Sequence, residues 1–232
     1  MIPIRDDNPY RQLPVITTCL IVINVAIYFY QLFVDKAGAA FIYQYGAIPF
    51  QITHFQPVPH LPRGYHPPIP YFATIFTSMF IHGGFFHLFS NMLYLWIFGD
   101  NVEYLMGKFR FLIFYLVGGF VAALGHIIMA PNSQIPMVGA SGAVSAVLGA
   151  YFIKFPRAKV QILLFFFIFI QTIYVPAVFV LGLWFLMQLF SGISSLGLST
   201  SGGVAWFAHI GGFLAGIGLV NFFQKRRLRV WW

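Results

Sequence analysis

The feature that most constrains this chain is a series of long apolar runs, several with no charge inside them. Residues 15 to 34 hold no charged side chain. As a helix, ~20 residues rise about 30 Å, the thickness of a bilayer's hydrocarbon core. Composition follows from these runs: 59% of residues are hydrophobic and 8% are charged, against about 25% charged in an average soluble domain. A soluble globular domain, a disordered chain and a coiled coil are all excluded. The single cysteine, Cys19, lies in the first run, so an intrachain disulfide is impossible. That run is longer than the apolar core of a signal peptide, about 7–15 residues. It reads as an uncleaved first span.

Further spans are expected at 84–105, 110–130, 139–154, 176–191 and 204–223. The connection between the first two holds six prolines from Pro57 to Pro70, too many for a long regular element. The fourth span is short and built largely of Gly, Ala and Ser. Pro176 suits the first turn of the fifth. The apolar, β-branched and aromatic stretch 160–174 reads as interfacial or re-entrant, because 160–190 is too short for two crossings. The net charge of +8 fits topology better than nucleic acid. With the N-terminus inside and six crossings, eleven of thirteen basic residues fall inside, and only Lys36 and Arg63 fall outside.

Polar groups at membrane depth are costly and need partners or a function. His87 and Asn91 are four residues apart and share a helix face. Ser141 opens the fourth span within Gly139-Ala140-Ser141-Gly142, and His209 lies near the outer end of the sixth, ~8 Å deep. The topology puts all four in one outer layer of the membrane. A serine hydroxyl becomes a good nucleophile when a base accepts its proton, and an imidazole suits that role near neutral pH. Asn91, His87 and the backbone N–H of Ser141 are candidate donors to an oxyanion. The last acidic residue is Glu103, and Asp100 and Glu103 lie ~20 Å from His87 along their helix. A Ser–His dyad is therefore expected in place of an Asp-supported triad. Gly212 and Gly216 form a GxxxG that allows close helix approach, as do Gly142 and its small neighbours. Plainer readings exist: the serine bonding its own backbone, His87 and Asn91 clamping two helices, and the glycines serving packing alone. His82, near the same surface, is open to either reading.

Taken together, His87, Asn91, the Gly139–Gly142 motif and Ala208-His209-Ile210-Gly211-Gly212 resemble the rhomboid family of intramembrane serine proteases. The likeness extends over about residues 10 to 225, with 76–103 similar to bacterial members. It implies an all-α membrane protein, a six-transmembrane-helix bundle forming a single domain over 1–232, with both termini cytoplasmic. It implies Ser141 as nucleophile, His209 as general base, and His87 and Asn91 at the oxyanion. Gly139 would permit the tight turn before Ser141, and Gly212 and Gly216 would be packing positions. Glu103 matches a structural acidic position. Two positions depart from the family pattern. Ser145 stands where many members stack a tyrosine on the histidine, and Ala73-Thr74 stands for a Trp-Arg pair.

The implied activity is a serine endopeptidase that cleaves single-pass transmembrane proteins near the outer face of a bacterial or archaeal plasma membrane. Cuts are expected at Gly, Ala or Ser beside helix-weakening residues, since a bonded helical backbone is unreachable. No cofactor or metal is expected, since HExxH is absent. Nucleic acid is not expected as a partner, and oligomeric state is not readable. The alternative is a catalytically silent rhomboid-like binder of transmembrane helices. A transporter would need broken helices in repeated halves, which the sequence lacks.

Overall fold

The computed structural model describes residues 2–7, 13–35, 39–166, 169–195 and 204–225. Arg11, Lys36, Arg226, Arg227, Arg229 and most of the loop 191–203 lie outside the described residues. Helix α1 (Val15–Val34) buries one face through Thr17, Leu20, Asn24, Tyr28 and Gln31. Val22, Phe29 and Phe33 point outward and are exposed. Polar groups inside and apolar groups outside invert the pattern of a soluble helix, as a lipid surround requires. The described residues of the proline-rich connection form short α-helices, α2 (Ala40–Tyr45), α3 (Pro49–His54) and α4 (Thr74–Thr77), and single 3-10 turns.

Helix α5 (Phe85–Met106) ends at Gly107, whose φ of 78° turns the chain directly into α6 (Lys108–Met129). Helix α7 (Ser141–Lys154) is buried along most of its length among α5, α6 and α9 (Trp206–Phe223), with α8 (Ala177–Ser195) on its remaining side. Among the described residues, four helices, α1, α6, α8 and α9, are long and apolar enough to cross a membrane. The bent pair Tyr71–Phe80 and Phe85–Met106, which meet at 79°, makes a fifth candidate when its two parts are taken as one broken span. At 14 residues, α7 is apolar but shorter than a bilayer is thick.

The all-α expectation requires correction. The stretch expected to be interfacial or re-entrant is an antiparallel hairpin of β2 (Lys159–Phe166) and β3 (Phe169–Pro176). Strand β1 (Ile2–Asp6) adds to β2, giving the order β1-β2-β3. Pro176 therefore closes a strand, where its missing N–H is tolerated, and α8 starts one residue later and runs to Ser195. Arg5 ties the sheet across strands, donating to Gln161 Oε1 at 2.7 Å and to the Tyr174 hydroxyl at 3.1 Å. Asp6 accepts from Asn101 on α5 and from the Tyr151 hydroxyl on α7.

Glu103 has a defined task. Its carboxylate accepts from the N–H groups of Ile16 and Thr17 at 3.0 and 2.8 Å, and from the Thr17 hydroxyl at 2.9 Å. A buried acid on α5 thus caps the free N–H groups at the start of α1.

Candidate active site

The N-terminal ends of α5, α7 and α9 meet the C-terminal half of α8 at the end of the bundle opposite the sheet. Two backbone contacts set the turn before α7. Gly139 adopts a φ of 118° and donates its N–H to Ser78 O at 2.9 Å. A Cβ at Gly139 would come within 2.6 Å of His87 Nε2, so the turn needs glycine for both space and angle. Ala140 N–H points at His82 Nε2, at 3.4 Å, and His82 is fully buried. His82 is also tied to α1, its carbonyl accepting from Gln31 Nε2 at 3.0 Å. Ser141 follows as the first residue of α7, where a backbone N–H has no partner within the helix.

Close packing brings α9 to this serine. A Cβ at Gly212 or Gly216 would collide with the carbonyls of Gly142 and Ala146 on α7, and one at Gly149 with the carbonyl of Phe213 on α9. A Cβ at Gly142 would lie 2.8 Å from Ala122 on α6. The helices approach backbone to backbone, as small residues permit. Across that contact, His209 Nε2 lies 2.8 Å from Ser141 Oγ.

His87 and Asn91 lie on the α5 side of the same cavity, which measures about 670 Å³ and is also lined by Ser141, His209 and Trp184. The Asn91 side-chain amide is buried, and its Nδ2 has no hydrogen-bond partner among the described residues. It lies near Gly139, where a Cβ would be 3.5 Å from it. A buried unpaired N–H donor beside a serine hydroxyl is costly unless a ligand oxygen completes it.

The expected dyad has a neighbour that sequence reasoning missed. Gln188 of α8 lies with its Oε1 2.8 Å from His209 Nδ1. A neutral amide inside an apolar run gives no charge signal, and only the fold brings α8 against α9. The position of the missing tyrosine is also resolved. The Ser145 hydroxyl turns back to Ser141 O at 2.6 Å. The His209 ring is flanked by Trp184 and Trp206 instead, each with its ring centre 6.1 Å away. Ala73 and Thr74 bond locally, the first through its N–H to Pro70 O and the second through its hydroxyl to Tyr71 O.

Known proteins resemble this arrangement in sequence. The family model for the Rhomboid domain matches residues 70–226, more than half of the chain. The chain belongs to the rhomboid family. The matched region of this rhomboid runs from the connection before α4 to the end of α9. Presenilin-associated rhomboid-like protein A, mitochondrial, from Danio rerio is 35% identical over 89 residues, 38% of this chain and 23% of the relative. Rhomboid protein 1, mitochondrial, from Saccharomyces cerevisiae is 35% identical over 96 residues, 40% of this chain and 28% of the relative. The putative rhomboid protease YdcA of Bacillus subtilis is 34% identical over 77 residues, 33% of this chain and 38% of the relative. The chain thus spans about a quarter to two fifths of the length of these relatives. Its several long apolar helices make it a multi-pass membrane protein.

Proposed function

We propose that this rhomboid is an intramembrane serine endopeptidase that cleaves single-pass transmembrane proteins near the outer face of a plasma membrane. The observation that carries the reading is the 2.8 Å approach of Ser141 Oγ to His209 Nε2 across the α7–α9 contact. Ser141 Oγ attacks the scissile carbonyl carbon as its proton passes to His209 Nε2. The developing oxyanion takes hydrogen bonds from the Ser141 N–H, Asn91 Nδ2 and the His87 ring. The tetrahedral intermediate collapses, the C–N bond breaks, and His209 returns the proton to the leaving amine. Water, deprotonated by His209 in turn, attacks the acyl carbon, and the bond to Ser141 Oγ breaks as His209 returns the proton to that oxygen.

The orientation has its own support. Lys108, Arg110, Lys154, Lys159 and Lys225 lie at the sheet end of the bundle, away from Ser141. Retention of basic residues on the cytoplasmic side puts both chain ends inside, with six crossings, and the catalytic end toward the outside. A substrate helix must unwind there to expose its backbone, which favours Gly, Ala or Ser at the cut.

The test reconstitutes the full chain in lipid vesicles with single-pass substrates carrying Gly, Ala and Ser in the outer third of their helices. Cleavage by the wild type and none by Ser141→Ala is the expected result. Equal cleavage by Ser141→Ala would sink the serine mechanism. Stable capture of uncut substrate by the wild type would instead identify a silent helix binder.

A further inference from the structure

We propose that Gln188 is the positioning residue of the site, holding His209 in the tautomer that can take the serine proton. This inference rests on the Ser141–His209 reading above and goes beyond it by assigning the third member. The amide has one orientation that satisfies its surroundings. Gln188 Nε2 donates to the carbonyl of Trp184, one turn earlier on α8, at 3.2 Å. A carbonyl oxygen only accepts, so the NH₂ end must face it, and Oε1 faces His209 Nδ1 at 2.8 Å. An amide oxygen also only accepts, so Nδ1 carries the imidazole proton. Nε2 is then left with its lone pair toward the Ser141 hydroxyl, 2.8 Å away.

The choice of glutamine follows from depth. In soluble serine hydrolases a buried carboxylate holds the histidine tautomer. A lone carboxylate among α7, α8 and α9 would be an ion removed from water, and no lysine or arginine lines the cavity to pair with it. The amide supplies the same acceptor geometry with no net charge. Gln188 is itself largely buried, at 7% exposure, so water does not readily replace it as the acceptor. Trp184 completes the arrangement from the same helix face, its carbonyl fixing the amide and its ring lying beside the imidazole.

The test needs no substrate. The purified full chain in detergent micelles is treated with a fluorophosphonate, and the maximal inactivation rate kinact is separated from the apparent affinity KI. Gln188→Leu removes the acceptor at similar size. Gln188→Glu keeps one whether the carboxyl is ionised or protonated. A purely structural role would not be restored by Glu. The expected result is a fall in kinact of about 100-fold for Gln188→Leu, the scale of lost general-base action. KI should stay within about twofold, and Gln188→Glu should recover most of the loss. A Gln188→Leu chain labelled at the wild-type rate overturns the proposal, as does Gln188→Glu falling as far as Gln188→Leu. Should Gln188→Leu fail to fold, the ¹⁵N spectrum of His209 in the wild type decides. A proton on Nδ1 supports the proposal and a proton on Nε2 overturns it. A wild type that never labels at Ser141 overturns the serine nucleophile itself. Unchanged kinetics on a labelled Ser141 overturn the role of Gln188 alone.

Discussion

Asn91 carries a buried amide N–H pair that finds no partner among the described residues, beside the serine at the head of α7. Such a group is held by its helix in wait for an oxygen, and the oxygen with most to gain is one acquiring negative charge. Asn91→Ala is therefore expected to lower kcat on a cleaved transmembrane substrate by roughly 100-fold, with KM little changed. A loss confined to KM would make Asn91 a substrate-binding group instead. His82 acts at the same scale without touching the cavity. It braces the Ala140 N–H from below the nucleophile turn and ties that turn to α1 through Gln31. In the sequence, Ser141, His209, His87 and Asn91 stand out because each is polar where the membrane is apolar, and the basic-residue topology puts them in one layer. Gln188 escaped, and His82 stayed open between a structural and a catalytic reading, because neither depth nor charge distinguishes a bonding role from a neutral one. Only the helix-to-helix contact does that.

At the scale of elements, the α7–α9 contact decides whether a site exists. Gly216 meets the Ala146 backbone, whereas Gly218, two residues along α9, has open space around it. Gly216→Ala is expected to destabilise the fold by about 1–3 kcal/mol through overpacking, and to separate Ser141 from His209. Gly218→Ala should be neutral or slightly stabilising, since alanine is the better helix former. Thermal unfolding of the two variants in the same detergent checks the contrast, and equal melting temperatures would refute the close contact. The helical elements were legible because their apolar runs are long and their ends carry glycine, proline or charge. The hairpin was not. Its centre, Phe165-Phe166-Phe167-Ile168-Phe169-Ile170, contains no Gly, Pro, Asn or Asp, so no turn signal separated the strands. Strand β1 was hidden for another reason. Ile2 pairs with Leu163 and Asp6 with Val160, partners more than 150 residues away, and no local pattern reports such a pairing.

For the whole molecule, the sheet and most described basic residues mark one end and the serine marks the other. The proposed orientation makes the proline-rich connection external and the α5–α6 turn internal. In a Cys19→Ser background, Gly64→Cys should react with a membrane-impermeant maleimide applied to intact cells. Lys108→Cys should react only after the membrane is opened. Both positions are exposed, so accessibility reads topology and not burial. The reverse pattern would turn the site toward the cytoplasm and contradict the charge argument. The sheet itself holds the inner end together, because Asp6 joins β1 to both α5 and α7.

Whether Ser141 is an activated nucleophile can be read directly by one measurement. The purified chain is treated with a fluorophosphonate, digested, and the adduct located by mass spectrometry, with Ser141→Ala and His209→Ala run beside it. The expected result is a single phosphonylated residue, Ser141, with labelling lost in both variants. Folded wild-type protein that stays unlabelled, or His209→Ala labelled as fast as the wild type, would contradict it.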